Sequence, residues 1–472
     1  MFNNKIKGIS SFVAAILIHL IIGNLFTFSN LLPYYRSYLY YKNNETEVVD
    51  MTALYFVAPI GVFSGNVILI LTGFLDLIVG VRVMTILCTI LLIGSQLLFY
   101  FFIDFYLIII SYIIFGISGS FTYFQVIRNC WKYFPGKEGI ISGVILSAFG
   151  LSTFIFTSIG DYIINEGGKE ADEDTGIFPK EVADKYINYI FFYLMCCIVM
   201  ATLSSILCFT YKEEKIGNEK EEDEQNERVI DDKENLLKKE ENVLTTKLTL
   251  KESICSLEYA KCLTIAACTL IYGFLLTNTY RTFGQEKNLD PLALQWLSKV
   301  YTILNTLGRI VWGIIYDKYG FTVPYIFVCV NQIVWGIIIY FSSVNIVTYF
   351  IVVCFGVLSL AGQVILFPNV MKVIFGNENI VILLGIGGIF GGISSIMGPI
   401  LSLFILDTSG DSKDKNDSSS YLLIYLLGAA PTIISLIVSI FIKPEYLKKT
   451  NRNQKVAVNT ISYEELDSSM KQ

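Results

Sequence analysis

The chain has 472 residues, of which 54% are hydrophobic and only 16% are charged, and its formal net charge is −6. Water-soluble domains carry about 25% charged residues, so the composition argues against a string of soluble domains, and the acidic balance argues against a nucleic-acid partner. The ten cysteines lie mostly in apolar segments and the chain has a single histidine. Neither a disulfide framework nor a metal site is predicted.

Apolar segments with few charges follow one another along the chain. A helix of about 20 apolar residues spans a bilayer. The twelve segments lie near 9–33, 51–74, 83–103, 105–127, 139–160, 187–210, 260–280, 293–316, 321–341, 346–371, 379–406 and 421–442. The sequence therefore predicts an all-α integral membrane protein with about twelve transmembrane helices, six in each half of the chain.

The two halves repeat each other at an offset of about 240 residues. Gly73 and Gly80 correspond to Gly313 and Gly320 at this offset. Further correspondences join Asn129 with Asn369, Lys132 with Lys372 and, one residue further on, Phe149 with Phe390. Parallel repeats of this kind build many secondary transporters, whose substrate site lies at the midplane between the halves. We therefore expect two pseudo-symmetric six-helix bundles.

Charge clustering divides the chain. We expect an N-terminal bundle over residues 1–211, a charged linker over 212–257, a C-terminal bundle over 258–442 and a polar tail over 443–472. The linker has mixed charge and few aromatic residues, which is typical of a flexible tether; a partner-binding helix is the alternative. Basic residues are enriched on the side of the linker and both termini, which predicts that side to be cytoplasmic, in the plasma membrane or in an organelle.

A short motif ends the second helix of the second half. Residues 313–320 read Gly-Ile-Ile-Tyr-Asp-Lys-Tyr-Gly, so that Asp317 and Lys318 lie between two glycines. This resembles the signature loop of the major facilitator superfamily, which latches the two halves together on the cytoplasmic side. The first-half copy, residues 73–80, keeps the glycines, has Asp76 one place earlier and is followed by Arg82. The resemblance implies a gating role for all four charged residues.

A second motif is more specific. The segment from Gly116 to Phe156 contains Tyr123, the loop Lys-Tyr-Phe-Pro-Gly-Lys-Glu-Gly at 132–139, and then Gly143 and Gly150. It resembles the oxalate–formate and monocarboxylate porter branch of the superfamily. The resemblance implies transport of a small organic anion by alternating access.

Arg309 is the strongest candidate for a substrate-binding residue. It lies eight residues before Asp317, about 12 Å along a helix and therefore near the middle of the bilayer. A guanidinium there normally faces the bundle interior and fits a carboxylate bidentately. In the porter branch an arginine at this place binds the substrate carboxylate, which implies that role for Arg309. Asn305 and Thr306 share its helix face. A structural arginine bonded to backbone carbonyls is the alternative.

The chain also departs from that branch. Oxalate porters have a second cation in the eleventh helix, but residues 381–387 contain none, which favours a monoanion. Monocarboxylate porters have a lysine in the first helix, absent here, and an aspartate where Asn305 stands. A proton relay like theirs is therefore in doubt.

Other polar residues lie inside the predicted helices. His19 is the candidate for proton coupling, because histidine titrates near neutral pH; a packed histidine bonded to a backbone carbonyl is the alternative. Tyr123, Tyr272 and Asn24 are further candidates for the substrate cavity.

The favoured function is therefore secondary transport of a monocarboxylate such as pyruvate, lactate or formate, as an antiporter or a proton symporter. We expect no cofactor, no enzymatic activity and a monomer in the bilayer. A carrier of amino acids or drug-like solutes is one alternative. A non-transporting membrane receptor or scaffold is another, although it would have no need of a buried arginine.

Overall fold

The computed structural model describes residues 4–43, 54, 56–172, 175–212, 249–410 and 419–442. Helices make up most of these residues, and no β-strand occurs among them. Most of the predicted linker and the whole predicted tail lie outside the described residues.

The described residues of the first half form nine α-helices and one 3-10 turn. They are α1 (Asn4–Ile22), the 3-10 turn Gly23–Phe26, α2 (Thr27–Lys42), α3 (Val57–Val79), α4 (Val81–Phe101), α5 (Phe105–Ser120), α6 (Gln125–Tyr133), α7 (Glu138–Asn165), α8 (Lys180–Ala183) and α9 (Tyr186–Leu207).

The described residues from Thr249 onward form seven helices. They are α10 (Leu250–Ile254), α11 (Leu257–Glu286), α12 (Pro291–Tyr319), α13 (Thr322–Ser342), α14 (Ile346–Phe375), α15 (Ile380–Gly410) and α16 (Ser419–Ile440). The short helix α10 falls inside the predicted linker. It begins with a capping box between Thr249 and Glu252, and hydrogen bonds from Thr249 lower the pKa of the Glu252 carboxyl.

Ten helical segments in the described part of the chain are long and apolar enough to cross a membrane, counting α1 with α2, α5 with α6 and α8 with α9 as single segments. The two remaining long helices are α12, which contains Lys299, Arg309 and Asp317, and α15, whose apolar part is Ile380–Ser394. Together they match the predicted number of spans. The predicted fold class, an all-α integral membrane protein, is confirmed.

Helices pack mainly within their own half. In the first half α1 packs on α7 and α9, α3 on α5, and α4 on α5 and α9. In the second half α11 and α13 pack on α16, α12 and α13 on α14, and α11 on α15. The halves meet mainly where α7 packs on α12 and α3 packs on α15, with smaller contacts of α7 with α14 and of α6 with α15.

Glycine allows the two halves to approach closely. A Cβ atom on Gly139 would lie 2.3 Å from the Gly313 carbonyl oxygen, and one on Gly143 would lie 2.8 Å from the Arg309 carbonyl oxygen. On the second pair, a Cβ atom on Gly73 would lie 3.0 Å from the Ile382 backbone nitrogen. Small residues of this kind let helix backbones touch inside a membrane.

Candidate functional site

The guanidinium of Arg309 lies between the two halves. The residue is on α12 and is only 7% exposed, and its Nη1 donates a hydrogen bond to the carbonyl of Leu146 on α7. Its Nε atom is buried without a hydrogen-bond partner. Among the described residues, none of the ion pairs within 4.0 Å involves Arg309. A buried, unneutralised guanidinium with a free edge is suited to binding an anion.

Two neighbours on α12 have unused polar atoms beside Arg309. Thr306 is 4% exposed and Asn305 is half-buried, and both Thr306 Oγ1 and Asn305 Oδ1 are buried without a hydrogen-bond partner. The backbone of α7 passes close by at Gly150, where a Cβ atom would lie 3.0 Å from Thr306 Oγ1 and 3.3 Å from Arg309 Nη1. A side chain at position 150 would therefore obstruct the site.

His19 and Tyr123 form the first-half side of the site. His19 is fully buried, its Nδ1 lies 2.9 Å from the Ala15 carbonyl oxygen, and its ring centroid lies 5.4 Å from that of Tyr123. Its Nε2 has no hydrogen bond of normal geometry, although the Tyr123 carbonyl is nearby. Both residues lie within electrostatic range of Arg309. The structure therefore brings His19, Tyr123, Thr306 and Arg309 together.

Two other candidates from the sequence lie elsewhere. Asn24 accepts a long hydrogen bond of 3.4 Å from Tyr189 and borders a small cavity inside the first half. Tyr272 is 1% exposed and packs inside the second half, where a Cβ atom on Gly336 would lie 2.7 Å from its ring. The side chains of Asn24 and Tyr272 therefore each contact residues of their own half of the chain in this structure.

On the signature-loop side, Asp317 joins the two halves. Its Oδ1 accepts a hydrogen bond of 2.7 Å from the Gly139 amide, and its Oδ2 accepts one of 2.9 Å from the Ile140 amide. These amides belong to the first turn of α7, where the helix dipole favours a negative charge. The adjacent Lys318 lies over the Tyr319 ring, 5.1 Å from its centroid.

An ion pair lies beside this contact. Lys372 on α14 and Glu138 at the start of α7 are 2.5 Å apart, with side chains 13% and 22% exposed. Lys372 also lies 5.3 Å from the centroid of the Trp131 ring. We call Glu138, Gly139, Asp317 and Lys372 the latch, since they hold the first half to the second.

A related arrangement surrounds Asp76. This aspartate is 2% exposed and forms a 2.5 Å ion pair with Arg128, and Arg128 donates a 3.3 Å hydrogen bond to the Glu378 carbonyl just before α15. Arg82, by contrast, lies over the Phe209 ring at 5.4 Å. Asp76 therefore reaches the second half through Arg128.

Sequence reasoning missed four residues of these contacts. Arg128, Glu138 and Lys372 complete the contacts between the halves, and Tyr301 on α12 lies within electrostatic range of Arg309. The internal repeat was a signal that could have identified Glu138. Glu138 and Glu378 are separated by the same offset of about 240 residues as Lys132 and Lys372.

Two related helical bundles that enclose a buried cation at their boundary define a secondary membrane transporter. Comparison with known proteins agrees. The family model of the Major Facilitator Superfamily matches residues 12–399, so the chain belongs to this family of transporters and is a multi-pass membrane protein, not an enzyme.

Similar proteins place the chain within that family. YhjX of Escherichia coli (strain K12), an uncharacterized MFS-type transporter, is 23% identical over 278 residues, which are 58% of this chain and 60% of YhjX. The aligned part thus spans less than two thirds of that relative.

Two solved structures share the fold. The proton:xylose symporter XylE, bound to 6-bromo-6-deoxy-D-glucose, has a TM-score of 0.64 and 13% identity, covering 95% of this chain and 100% of that one. The transporter FucP, in its outward conformation, has a TM-score of 0.65 and 11% identity, covering 93% and 100%.

Proposed function

We propose that the protein transports a small organic monocarboxylate by alternating access, with Arg309 binding the carboxylate. One observation carries the proposal: the guanidinium is buried at the boundary of the halves and no acidic side chain among the described residues pairs with it. An uncompensated buried charge costs several kcal/mol. A carboxylate ligand would remove much of that cost.

The free edge of Arg309 suggests how the anion binds. Nη1 is already bonded to the Leu146 carbonyl, whereas Nε is buried without a partner, so the Nε edge of the guanidinium remains for a ligand. A carboxylate can approach this side of the planar guanidinium and accept from two of its nitrogens. The Thr306 hydroxyl is a further donor close by. We propose that Asn305 and Thr306 orient the anion.

The number of positively charged side chains at the site supports a substrate with a single negative charge. Residues 381–387 of α15 contain no lysine or arginine, whereas the oxalate porters that the chain resembles have a second cation there. One cation balances one carboxylate, so pyruvate, lactate and formate fit the site better than oxalate.

The latch supports alternating access. In this structure Asp317, Lys372 and Glu138 close the halves on the side that we propose to be cytoplasmic. Opening to that side requires these contacts and the bond from Arg309 to the Leu146 carbonyl to break together. Movement of the Arg309 guanidinium is thereby linked to opening of the latch.

The coupling is either anion exchange or proton symport. His19 is the candidate for a proton-coupled cycle, because histidine is the one residue type among those named at the site whose unperturbed pKa lies near neutral. Its Nε2 also lacks a hydrogen bond of normal geometry.

One observation favours a second candidate function. Asn305, about one helical turn before Arg309 on α12, has a buried Oδ1 acceptor without a partner, and it could accept a hydrogen bond from the ammonium group of an amino acid. An amino-acid carrier on the same fold is therefore the alternative.

Uptake into proteoliposomes distinguishes these possibilities. Purified full-length protein is reconstituted and given labelled pyruvate, lactate, formate, oxalate and leucine, with and without an imposed pH gradient. The proposal expects uptake of the monocarboxylates and little uptake of oxalate. Saturable uptake of leucine without uptake of any monocarboxylate would support the amino-acid carrier instead.

A further inference from the structure

Aromatic rings dominate the first-half side of the Arg309 site. The Phe149 ring meets Tyr123 edge to face, with centroids 5.4 Å apart and planes at 88°. It also meets Phe26 at 6.0 Å and 82°, and His19 at 6.4 Å and 70°. Phe149 directly precedes Gly150, whose Cβ position would lie close to Thr306 and Arg309. We call Phe26, Tyr123, Phe149 and His19 the aromatic wall of the site.

The second half provides an aromatic group of its own. Tyr301, two turns before Arg309 on α12, stacks on Tyr280 with centroids 4.9 Å apart and planes at 8°. Its hydroxyl is within 2.8 Å of Thr277 Oγ1, and the residue is 5% exposed. Stacking on one face and a hydrogen bond at the tip fix the orientation of this ring.

The aromatic wall is only partly buried. Part of the Tyr123 surface remains accessible. Phe26, Phe149 and Gly150 are also half-buried. Because Tyr123 and Tyr301 come from different halves and both lie within electrostatic range of Arg309, the cation and the two aromatic groups face the same boundary between the bundles.

We infer that the transported carboxylate carries a flat aromatic group, so that the substrate is an aromatic monocarboxylic acid. This inference rests on the proposed function and names its substrate class. The carboxylate would bind the free edge of Arg309, while the substrate ring would lie against Tyr123 and Phe149.

The geometry favours a flat group over a saturated one. Edge-to-face and offset-stacked arrangements at centroid distances of about 4.5–7 Å give aromatic pairs an attraction beyond the area that they bury. A puckered saturated ring has no π system and gains only from burial. The backbone of α7 at Gly150 also lies close to Arg309 and Thr306.

A matched pair of acids tests the inference. Benzoate and cyclohexanecarboxylate have the same carbon skeleton, and the saturated acid is the more hydrophobic, so a purely hydrophobic site would prefer it. Binding of each to the purified full-length protein is measured by titration calorimetry. We expect benzoate to bind about three- to tenfold more tightly.

Two variants test whether the Phe149 ring causes the preference for benzoate over cyclohexanecarboxylate. Phe149→Leu removes the ring that touches three others, and it should abolish the preference for benzoate. The control is Tyr100→Leu, which removes a half-buried ring 5.8 Å from Phe191 on a helix without packing contact to α12, and it should retain the preference. If Phe149→Leu fails to fold, Phe149→Tyr, which keeps the ring, should bind like the native protein.

The possible results separate this inference from the proposed function. Equal binding of both acids by the native protein, lost in Arg309→Lys, overturns the aromatic substrate class and leaves the carboxylate site standing. Failure of both ring acids to bind while pyruvate still binds overturns the aromatic substrate class and leaves the carboxylate site standing. Binding that Arg309→Lys leaves unchanged contradicts the carboxylate site and the inference together. Preference for benzoate that depends on both Arg309 and Phe149 supports both.

Discussion

The main chains of Gly139 and Gly313 touch across the boundary of the two bundles. A Cβ atom built on either residue would lie 2.3 Å from the carbonyl oxygen of the other. The contact lies next to the amides that Asp317 binds at the start of α7. The closed latch therefore depends on two glycines that come from opposite halves of the chain.

A distance reporter makes the state of the latch measurable. Spin labels on cysteines introduced at Lys137 and Val323, both exposed and on opposite halves, would separate when the latch opens. The exposed Cys255 is replaced by serine so that it takes no label. We refer to this pair of labels as the latch reporter.

Gly139→Ala should open the latch. The added methyl group would collide with the Gly313 carbonyl, and overpacking of this kind costs about 1–3 kcal/mol. The ratio of closed to open molecules seen by the latch reporter should therefore fall at least about fivefold. Gly94→Ala is the matched control, since no atom lies within 4 Å of a Cβ atom there. An unchanged distance distribution in Gly139→Ala would show that the halves do not meet at this glycine.

Asp317→Asn should weaken the latch more gently. The amide can still accept one hydrogen bond but loses the negative charge at the start of α7, an effect of about 0.3–1 kcal/mol. The open population should rise about two- to fivefold. Asp290→Asn is the control, because Asp290 accepts from Leu292 and Ala293 within its own helix. Equal shifts in both variants would speak against a role of Asp317 between the halves.

The pair of Glu138 and Lys372 should behave as a coupled unit. Reversal of either charge alone leaves two like charges about 2.5 Å apart and should lower the melting temperature and the closed population. The double reversal should recover part of both, with a coupling energy of about 1–2 kcal/mol for this half-buried pair. Recovery should be incomplete, since a lysine at the start of α7 opposes the helix dipole. Strictly additive effects would exclude the interaction.

His19→Gln tests proton coupling. Glutamine keeps hydrogen bonding with the Ala15 carbonyl but cannot titrate near neutral pH. We expect uptake to lose its dependence on an imposed pH gradient while exchange of anion for anion continues. If the variant responds to the gradient as the native protein does, His19 is a packing residue, and coupling comes from the substrate's own proton or from a counter-anion.

The fold could be predicted from the sequence because membrane helices are local features. Apolar length alone locates the spans. The 3-10 turn at Gly23–Phe26 between α1 and α2 was not predicted, since it depends on contact with another helix: a Cβ atom on Gly23 would lie 2.2 Å from the Phe149 carbonyl oxygen.

The candidate site could be predicted only in part. The motif spacing identified Arg309 and Asp317, because both lie on one helix. Asn24 and Tyr272 were proposed as cavity residues, but a buried polar residue in an apolar helix can face its own bundle or the other one, and the sequence pattern does not distinguish the two. Tyr301 was missed for the same reason.

The central claim is that Arg309 binds the carboxylate of the substrate. Its most direct test is monocarboxylate uptake by proteoliposomes containing Arg309→Lys, with Arg281→Lys, an exposed arginine on α11, as the control. Lysine keeps the charge but loses the bidentate fork, so uptake by Arg309→Lys should fall at least tenfold while the control stays near the native rate. Near-native uptake by Arg309→Lys would contradict the account and make Arg309 a structural residue.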